Sequence, residues 1–256
     1  MTRQEVEQEA QGTQIPGLHA KIFSERKSNI QKYREMTLGG GSWLLLLRYE
    51  LTLLLVGYLP GALGLALRKI FYRALFKKVG RNVVFGRNLI LRHPNKISIG
   101  DNVIIDDDCL LDAKGETNEG ITIGNGFTLG RFSSLVCKNG NIHIGSHVNV
   151  GSSVKIIVGE GGTIMLGNSI DIGSSCHFSG GSYDYSRSDV LPSSRRQQTK
   201  GIVLEDLVWI GVGVIVLDGV SIGRQSIVGA GSLVNKNIPA GTVAVGVPAA
   251  VIRERV

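Results

Sequence analysis

An aliphatic or Phe residue recurs every six positions along most of this chain, from Val79 to Val234. The 21 positions form seven groups of three; the spacing is six within every group and irregular only between groups. Twelve of the 21 are followed by Gly, whereas chance predicts about three. The repeated positions are Val79, Phe85, Leu91; Ile99, Ile105, Leu111; Ile123, Leu129, Leu135; Ile144, Val150, Ile156; Leu166, Ile172, Phe178; Leu204, Ile210, Val216; Ile222, Val228, Val234.

This spacing predicts an all-β solenoid of about seven turns. Each group of three gives one turn of three short strands with the repeated side chain inside. Insertions occur only between one group and the next, and therefore at one edge of the solenoid. A Gly just after the aliphatic is expected to turn the chain through a positive φ. A doubly wound α/β fold is not favoured, because amphipathic helices of ten or more residues are missing after about residue 79. A second inward position, mostly small, is expected at Val103, Cys109, Ser133, Val148, Val154, Cys176, Val208, Val214, Ser226 and Ser232.

The remaining chain divides by composition. Residues 1–42 read as a polar, mobile leader with no cleavable signal peptide, and residues 43–78 as an apolar and basic helical segment. The solenoid covers residues 79–238 with a long loop at 179–203, and residues 239–256 form a C-terminal cap. Three Cys do not indicate a disulfide framework, so we expect a reducing compartment and a cytoplasmic protein.

The whole chain has a net charge of +7, and the basic excess is N-terminal, since residues 1–96 hold 16 basic and 6 acidic side chains, whereas residues 97–256 hold 12 and 15. Nine basic and no acidic residues lie between Arg68 and Lys96, after a Leu-rich stretch that Arg48, Glu50 and Pro60 interrupt. A single transmembrane helix is therefore not expected. One interpretation is two short helices on an anionic membrane surface, peripherally at the inner face of the cell membrane. The other is that the helices pack on the solenoid or a neighbouring subunit; nucleic-acid binding is not favoured.

The segment 202–254, with V-W-I-G-V, G-A-G-S and V-N-K-N, closely resembles the C-terminal part of bacterial hexapeptide-repeat acyltransferases. With H-P-N-K-I-S-I-G-D-N at 93–102, the pattern is similar over residues 40–256 to the members that O-acetylate saccharides in polysaccharide synthesis. The resemblance implies a left-handed β-helix, a homotrimer, acetyl-CoA as donor, a saccharide acceptor and an active site between adjacent subunits. No metal is implied.

The same resemblance assigns donor-binding residues. Trp209 and Val212 would line the pantetheine arm, Ala230 would contact it through its backbone, and Asn235 and Lys236 would lie near the nucleotide phosphates. Arg253 is another candidate for phosphate contact. The family more often has Thr where Asn235 stands. Packing at a subunit contact would equally explain Trp209, and a solvated charge would explain Lys236.

The family's general base is missing. In the family, the long loop begins with small residues and then a His that takes the proton of the acceptor hydroxyl while a backbone N–H holds the oxyanion. Here that position is Tyr183. A phenol of ordinary pKa ~10 is about 0.1% ionised at pH 7, whereas an imidazole is mostly free base.

Other residues near the loop could compensate. His177 precedes the inward Phe178 and therefore points outward, but six extended residues, roughly 20 Å, separate it from Tyr183. It could replace the family base only if the loop folds back or a neighbouring subunit contributes. Asp184 could orient either group, and Arg187 and Asp189 could bind acceptor hydroxyls.

Three functions remain open on this sequence. The first is an acyl-CoA-dependent O-acyltransferase acting on a saccharide or a lipid-linked saccharide. The second is a catalytically silent trimeric scaffold or binding protein in a glycan-assembly complex. The third, a metal hydrolase, is least favoured because His177 occupies a different phase of the turn from His143 and His147, whereas zinc needs three converging ligands.

Overall fold

A computed structural model describes residues 28–183, 186 and 197–255. These residues form a parallel β-solenoid of seven turns, as the six-residue repeat predicts, and three α-helices precede it in the described part of the chain. The leader predicted for residues 1–42 lies mostly outside the described residues.

The solenoid has three walls, named A, B and C in the order in which the chain visits them. Each strand pairs in parallel with the strand of the next turn; the exceptions are an antiparallel last strand in wall B and a small hairpin. Wall A contains β1 Lys78–Val79, β4 Ile97–Ile99, β7 Ile121–Ile123, β10 Asn141–Ile144, β13 Thr163–Leu166, β18 Ile202–Leu204 and β21 Ser221–Ile222. Wall B contains β2 Val84–Phe85, β5 Ile104–Ile105, β8 Thr128–Leu129, β11 Asn149–Val150, β14 Asp171–Ile172, β19 Trp209–Ile210, β22 Ile227–Val228, β24 Thr242–Gly246 and β25 Ala249–Glu254. Wall C contains β3 Ile90–Arg92, β6 Leu110–Asp112, β9 Ser134–Cys137, β12 Lys155–Val158, β15 His177–Gly180, β20 Ile215–Leu217 and β23 Leu233–Val234. The hairpin consists of β16 Ser182–Tyr183 and β17 Gln197–Gln198.

The repeated side chains form the core. Twenty of the 21 predicted positions are buried, and Val79, in the first turn, is partly buried against the same core. All ten predicted second inward positions are buried as well. The three cysteines are free thiols inside the protein. All the unequal spacings fall at one edge, between wall C and wall A, so the other two edges stack without interruption.

The glycines after the repeated aliphatics act through close packing, so the expected positive φ at these positions is wrong. The twelve glycines have ordinary φ values. A β-carbon on Gly124 would lie 2.5 Å from the carbonyl O of Gly145 in the next turn, and one on Gly211 would lie 2.5 Å from the N of Ala230. The left-handed residue is instead the third after the aliphatic at every A–B and B–C corner, with φ between 54° and 71°. These residues are Asn82, Asn88, Asn102, Asp108, Gly126, Phe132, His147, Ser153, Ser169, Ser175, Leu207, Gly213, Gln225 and Gly231.

Three helices cover the first turn: α1 Asn29–Leu38, α2 Trp43–Val56 and α3 Gly61–Phe71. Ser28 and Ser42 cap the first two, because each hydroxyl accepts a backbone N–H in the first turn. A 3₁₀ helix, Tyr72–Ala74, follows α3, and another spans Pro94–Lys96. No single helix in the described residues is long and apolar enough to cross a membrane; α1 and α2 meet that criterion only as a pair bent by 74°.

Aromatic packing and one buried guanidinium fix these helices to the solenoid. The Tyr72 and Phe76 rings lie 5.5 and 5.4 Å from the ring of Phe85. Arg68, only 2% exposed, donates to the carbonyl oxygens of Leu59 at 2.7 Å, Phe85 at 2.9 Å and Val56 at 3.2 Å. At the other end, β24 extends wall B and β25 folds back on it.

Candidate functional site

His177 lies on the outer face of wall C at the beginning of β15. Its neighbours in register are Lys155 in the preceding turn and Ile215 in the next, and its backbone N–H donates to the carbonyl O of Val214 at 2.9 Å. The imidazole is partly buried. Burial, and then the positive charge of Lys155, lower its pKa below the ordinary 6.5. A partly shielded imidazole of this kind is free base at neutral pH and can accept a proton.

Tyr183 lies beyond the far end of the same strand. β15 is extended from His177 to Gly180, a rise of about 10 Å, and Tyr183 then joins the hairpin by pairing with Gln197. Its side chain is 59% exposed. The described residues therefore keep the two candidate bases at opposite ends of one strand. Asp184, Arg187 and Asp189 lie outside the described residues, so their predicted roles stay predictions.

The hairpin is seated on the preceding turn at the C–A corner. A β-carbon on Gly159 would lie 2.4 Å from Nε2 of Gln197, and one on Gly162 would lie 2.0 Å from the methyl group of Thr199. Both glycines therefore allow the base of the long loop to lie directly on the solenoid, and the loop begins at a defined edge, next to wall C.

Three of the predicted donor residues come together near the B–C corner. Trp209 is 55% exposed on wall B, and Val212 at the corner is 57% exposed. The carbonyl O of Val212 accepts the N–H of Gly231 at 2.8 Å, which places Ala230 in the adjacent turn at the same corner. The result is an apolar edge with exposed backbone that suits a pantetheine arm.

The predicted phosphate contacts lie elsewhere. Asn235 and Lys236, both exposed, follow β23 at the C–A corner. Arg253 is in register with Val243, which pairs with Ile227, the neighbour of Trp209. Three strand spacings therefore separate Arg253 from Trp209 on wall B, or about 14 Å. One subunit does not collect all the predicted residues at a single edge.

The other histidines occupy different places. His143 lies on wall A, with Nε2 3.9 Å from Glu119, whereas His177 lies on wall C. His93 is buried, and its Nε2 lies 3.0 Å from the carbonyl O of Glu35 at the end of α1. Lys155, which faces His177, was not identified from the sequence. The signal was available, because strand alternation places both side chains outward and 22 residues separate them, one turn with its insertion.

Comparisons with known proteins agree with this architecture. No protein-family model matches the chain. The dTDP-4-amino-4,6-dideoxy-D-glucose acyltransferase of Escherichia coli is 34% identical over 181 residues, which cover 70% of this chain and 83% of that protein. The galactoside O-acetyltransferase of Lactococcus lactis is 47% identical over 74 residues, 28% of this chain, and the match spans only 36% of that relative's length.

A solved structure shares the fold. A variant of AntD, an N-acyltransferase from Bacillus cereus in complex with dTDP and coenzyme A, superposes with a TM-score of 0.51 at 25% identity, covering 74% of this chain and 90% of that chain. The repeat, the solenoid and the extent of the match to the Escherichia coli relative lead to one conclusion: the chain belongs to the hexapeptide-repeat acyltransferase family.

Proposed function

We propose that this protein transfers an acyl group, acetyl in the first instance, from acyl-CoA to a hydroxyl of a saccharide or lipid-linked saccharide. The observation that carries the proposal is His177, a partly buried imidazole with a lowered pKa on the solenoid wall next to the long loop. Family membership supports the CoA donor, because the related AntD binds coenzyme A. The relatives' names support a sugar acceptor.

In the proposed reaction, the acceptor oxygen attacks the thioester carbonyl carbon while His177 removes the hydroxyl proton. The C–O bond forms, a tetrahedral oxyanion develops, and its collapse breaks the C–S bond. The imidazolium then returns the proton to the thiolate, so that free CoA leaves as a thiol and the imidazole is again neutral. Lys155 helps by keeping the resting imidazole unprotonated.

The donor would lie along the apolar edge at the B–C corner. The exposed faces of Trp209 and Val212 suit the pantetheine arm, and the backbone of Ala230 offers hydrogen-bonding groups to its amides. Lys236, Asn235 and Arg253 are the proposed phosphate contacts. Because these residues lie on different edges of one solenoid, we place the complete site between two subunits of a homotrimer.

Exposed apolar side chains on walls B and C support the trimer. Ile104, Ile215 and Leu217 point outward and are 45%, 43% and 37% exposed. Outward aliphatic side chains on flat walls are suited to subunit contacts. Burying them between solenoids would bring wall C of one copy towards the B–C corner of another.

The direct test is CoA release by the purified protein from acetyl-CoA in the presence of a panel of saccharide acceptors. His177→Ala should lower kcat by about 100- to 10,000-fold, the usual contribution of a general base. His143→Ala is the matched control, a partly exposed histidine on another wall, and should retain the rate. Full activity of His177→Ala together with loss in Tyr183→Phe would move the role to Tyr183.

The acceptor test should include amino sugars. One relative is named for a 4-amino sugar and another for a galactoside hydroxyl, so both nucleophiles occur among the relatives. An amine that is partly free base attacks a thioester with less help from a base than a hydroxyl needs. If only amino sugars are acylated, and His177→Ala has little effect, the hydroxyl acceptor proposed here is wrong.

The alternative is a catalytically silent trimeric scaffold or binding protein in a glycan-assembly complex. The exposed phenol of Tyr183 at the family's base position favours it. In that case the unmodified chain releases no CoA with any acceptor, and Tyr183→His raises the rate from this baseline. A fast unmodified protein excludes the alternative.

A further inference from the structure

The outer surface of α2 and α3 is apolar, although it is not covered in the described structure. The inner face of α2 packs on the solenoid through Leu46, Tyr49 and Val56, and the Tyr49 hydroxyl donates to the carbonyl O of Leu91 at 2.7 Å. The opposite face is equally apolar. We define the helix-pair face by its exposed members: Leu44, Leu47, Leu51, Leu54, Leu55, Tyr58, Leu63, Leu65, Ile70 and Phe71.

On α3 the exposed side chains are apolar and a charged one is buried, the opposite of a normal surface helix. Its buried positions are Gly64 and Arg68, whereas Leu63 is 67% exposed and Ile70 is 64% exposed. A helix that places its guanidinium inside and its aliphatic side chains outside requires an apolar environment for the outer face.

The nine basic residues expected to meet a membrane do not act together. Arg81 and Arg87 are paired with Asp101 and Asp107, at 2.8 and 3.1 Å. Arg68 is buried, and the Lys96 ammonium donates to the carbonyl O of Gly115 at 2.7 Å. The exposed cations on the two helices are Arg48 and Lys69, and Lys77 and Lys78 follow the helices; the exposed Arg73 donates to the carbonyl oxygens of Val79 and Gly80 at 2.9 and 2.8 Å. Glu50 is the only acidic residue in the sequence from 43 to 78. The Glu50 carboxylate accepts the Tyr33 hydroxyl at 2.6 Å.

We propose that the helix-pair face inserts into the surface of an anionic phospholipid bilayer. Contact with the hydrocarbon supplies most of the binding free energy, and attraction between the exposed cations and the lipid headgroups supplies a smaller part. Composition favours lipid over a protein partner, because protein interfaces favour aromatic residues and Arg, whereas this face is mostly Leu. Trp43 and Tyr58, 50% and 71% exposed, flank α2, where amphipathic rings suit the headgroup level. The inference does not depend on the transfer reaction.

Vesicle binding of the full chain tests the proposal. In a Trp209→Phe background Trp43 is the only Trp of the chain, so a blue shift of its emission with phosphatidylcholine–phosphatidylglycerol vesicles reports contact at α2. Leu54→Glu/Leu55→Glu should weaken binding by at least about tenfold. Ile252→Glu, an equally exposed aliphatic at the other end of the solenoid, is the matched control and should bind normally.

Two further measurements distinguish hydrocarbon contact from electrostatic attraction, and a bilayer from a second copy of the chain. Lys77→Gln/Lys78→Gln should weaken binding to anionic vesicles only, by a smaller factor than the Leu double variant. Circular dichroism checks that each variant is folded, and light scattering reports the subunit number. The proposal is overturned if the unmodified chain ignores vesicles, or if Leu54→Glu/Leu55→Glu changes the subunit number while leaving vesicle binding intact, since the face would then be a contact between copies.

Discussion

At the scale of single residues, two kinds of glycine hold this solenoid together for different reasons. Gly124 has an ordinary φ but leaves no room for a β-carbon, which would lie 2.5 Å from the carbonyl O of Gly145. Gly231 has a φ of 69° with nothing within 4 Å of a β-carbon. Phe132 and Leu207 adopt the same left-handed conformation at equivalent corners, so a side chain is tolerated there.

We therefore expect Gly124→Ala to lower the free energy of unfolding by about 3 kcal/mol, because adjacent turns must separate. Gly231→Ala should lower it by about 1 kcal/mol, the strain of a left-handed Ala partly offset by a less flexible unfolded chain. Urea denaturation followed by circular dichroism measures both. If Gly231→Ala lowers the free energy of unfolding more than Gly124→Ala does, backbone conformation, and not contact between turns, sets the requirement for Gly.

His177 predicts the pH dependence of the proposed transfer. Burial and Lys155 lower its pKa, so the imidazole is neutral at pH 7 and is protonated only at a pH below the ordinary 6.5. A base must be unprotonated, so kcat/KM should be constant near pH 7 and fall as the pH drops below about 6.5. His177→Gln should be slow at every pH, and His143→Gln should retain the wild-type profile. If kcat/KM already falls with decreasing pH above pH 6.5, this assignment is wrong.

At the scale of secondary-structure elements, Arg68 connects the two apolar helices to the first turn. Its guanidinium donates to three carbonyl oxygens: Val56 at the end of α2, Leu59 in the connection before α3, and Phe85 at the end of β2. Arg68→Met keeps the length but leaves these buried acceptors without a donor, at a cost of about 3 kcal/mol. Lys69→Met, its exposed neighbour, should change stability by less than about 0.5 kcal/mol. Thermal unfolding compares the two, and equal stability would assign no structural role to the buried guanidinium.

His93 connects α1 to the solenoid in a pH-dependent way. Burial lowers the pKa of His93 in the folded state, so the imidazole resists protonation there. The hydrogen bond to the carbonyl O of Glu35 raises the pKa but does not outweigh burial. As the pH falls below 6.5, the unfolded chain binds a proton that the folded chain does not, so stability decreases as the pH decreases. His93→Gln should reduce this slope between pH 7 and pH 5, leaving the part due to His177. Denaturant midpoints across that range measure it, and an unchanged slope would refute the assignment.

At the scale of the whole molecule, the sequence predicts what the repeat controls and little else. Six-residue spacing is sufficient to locate the core, since 20 of the 21 repeated side chains are buried. It does not reveal that Arg68 points inward, because the decisive partners are carbonyl groups brought together by helix packing. Nor does it predict the role of the glycines, which depends on a backbone one turn away.

The candidate site was predicted less completely for a similar reason. Trp209, Val212 and Ala230 share a corner because they follow the repeat through consecutive turns. Lys155 faces His177 across an insertion, and the loop residues Asp184, Arg187 and Asp189 follow no repeat. A homotrimer follows only from the family resemblance in the sequence, because the six-residue repeat specifies the inside of one solenoid and carries no information on its neighbours.

A shared site makes a quantitative prediction about mixed trimers. If His177 of one subunit acts with Trp209 of its neighbour, two inactive variants, His177→Ala and Trp209→Ala, can complement each other. After an equal mixture is unfolded and refolded together, a random quarter of the interfaces carries both native residues, so activity should recover to about a quarter of wild type. Each variant refolded alone is the control and should stay inactive. If the mixture also stays inactive although light scattering shows mixed trimers, His177 and Trp209 serve the same site from a single chain, and the placement of the site between subunits is wrong.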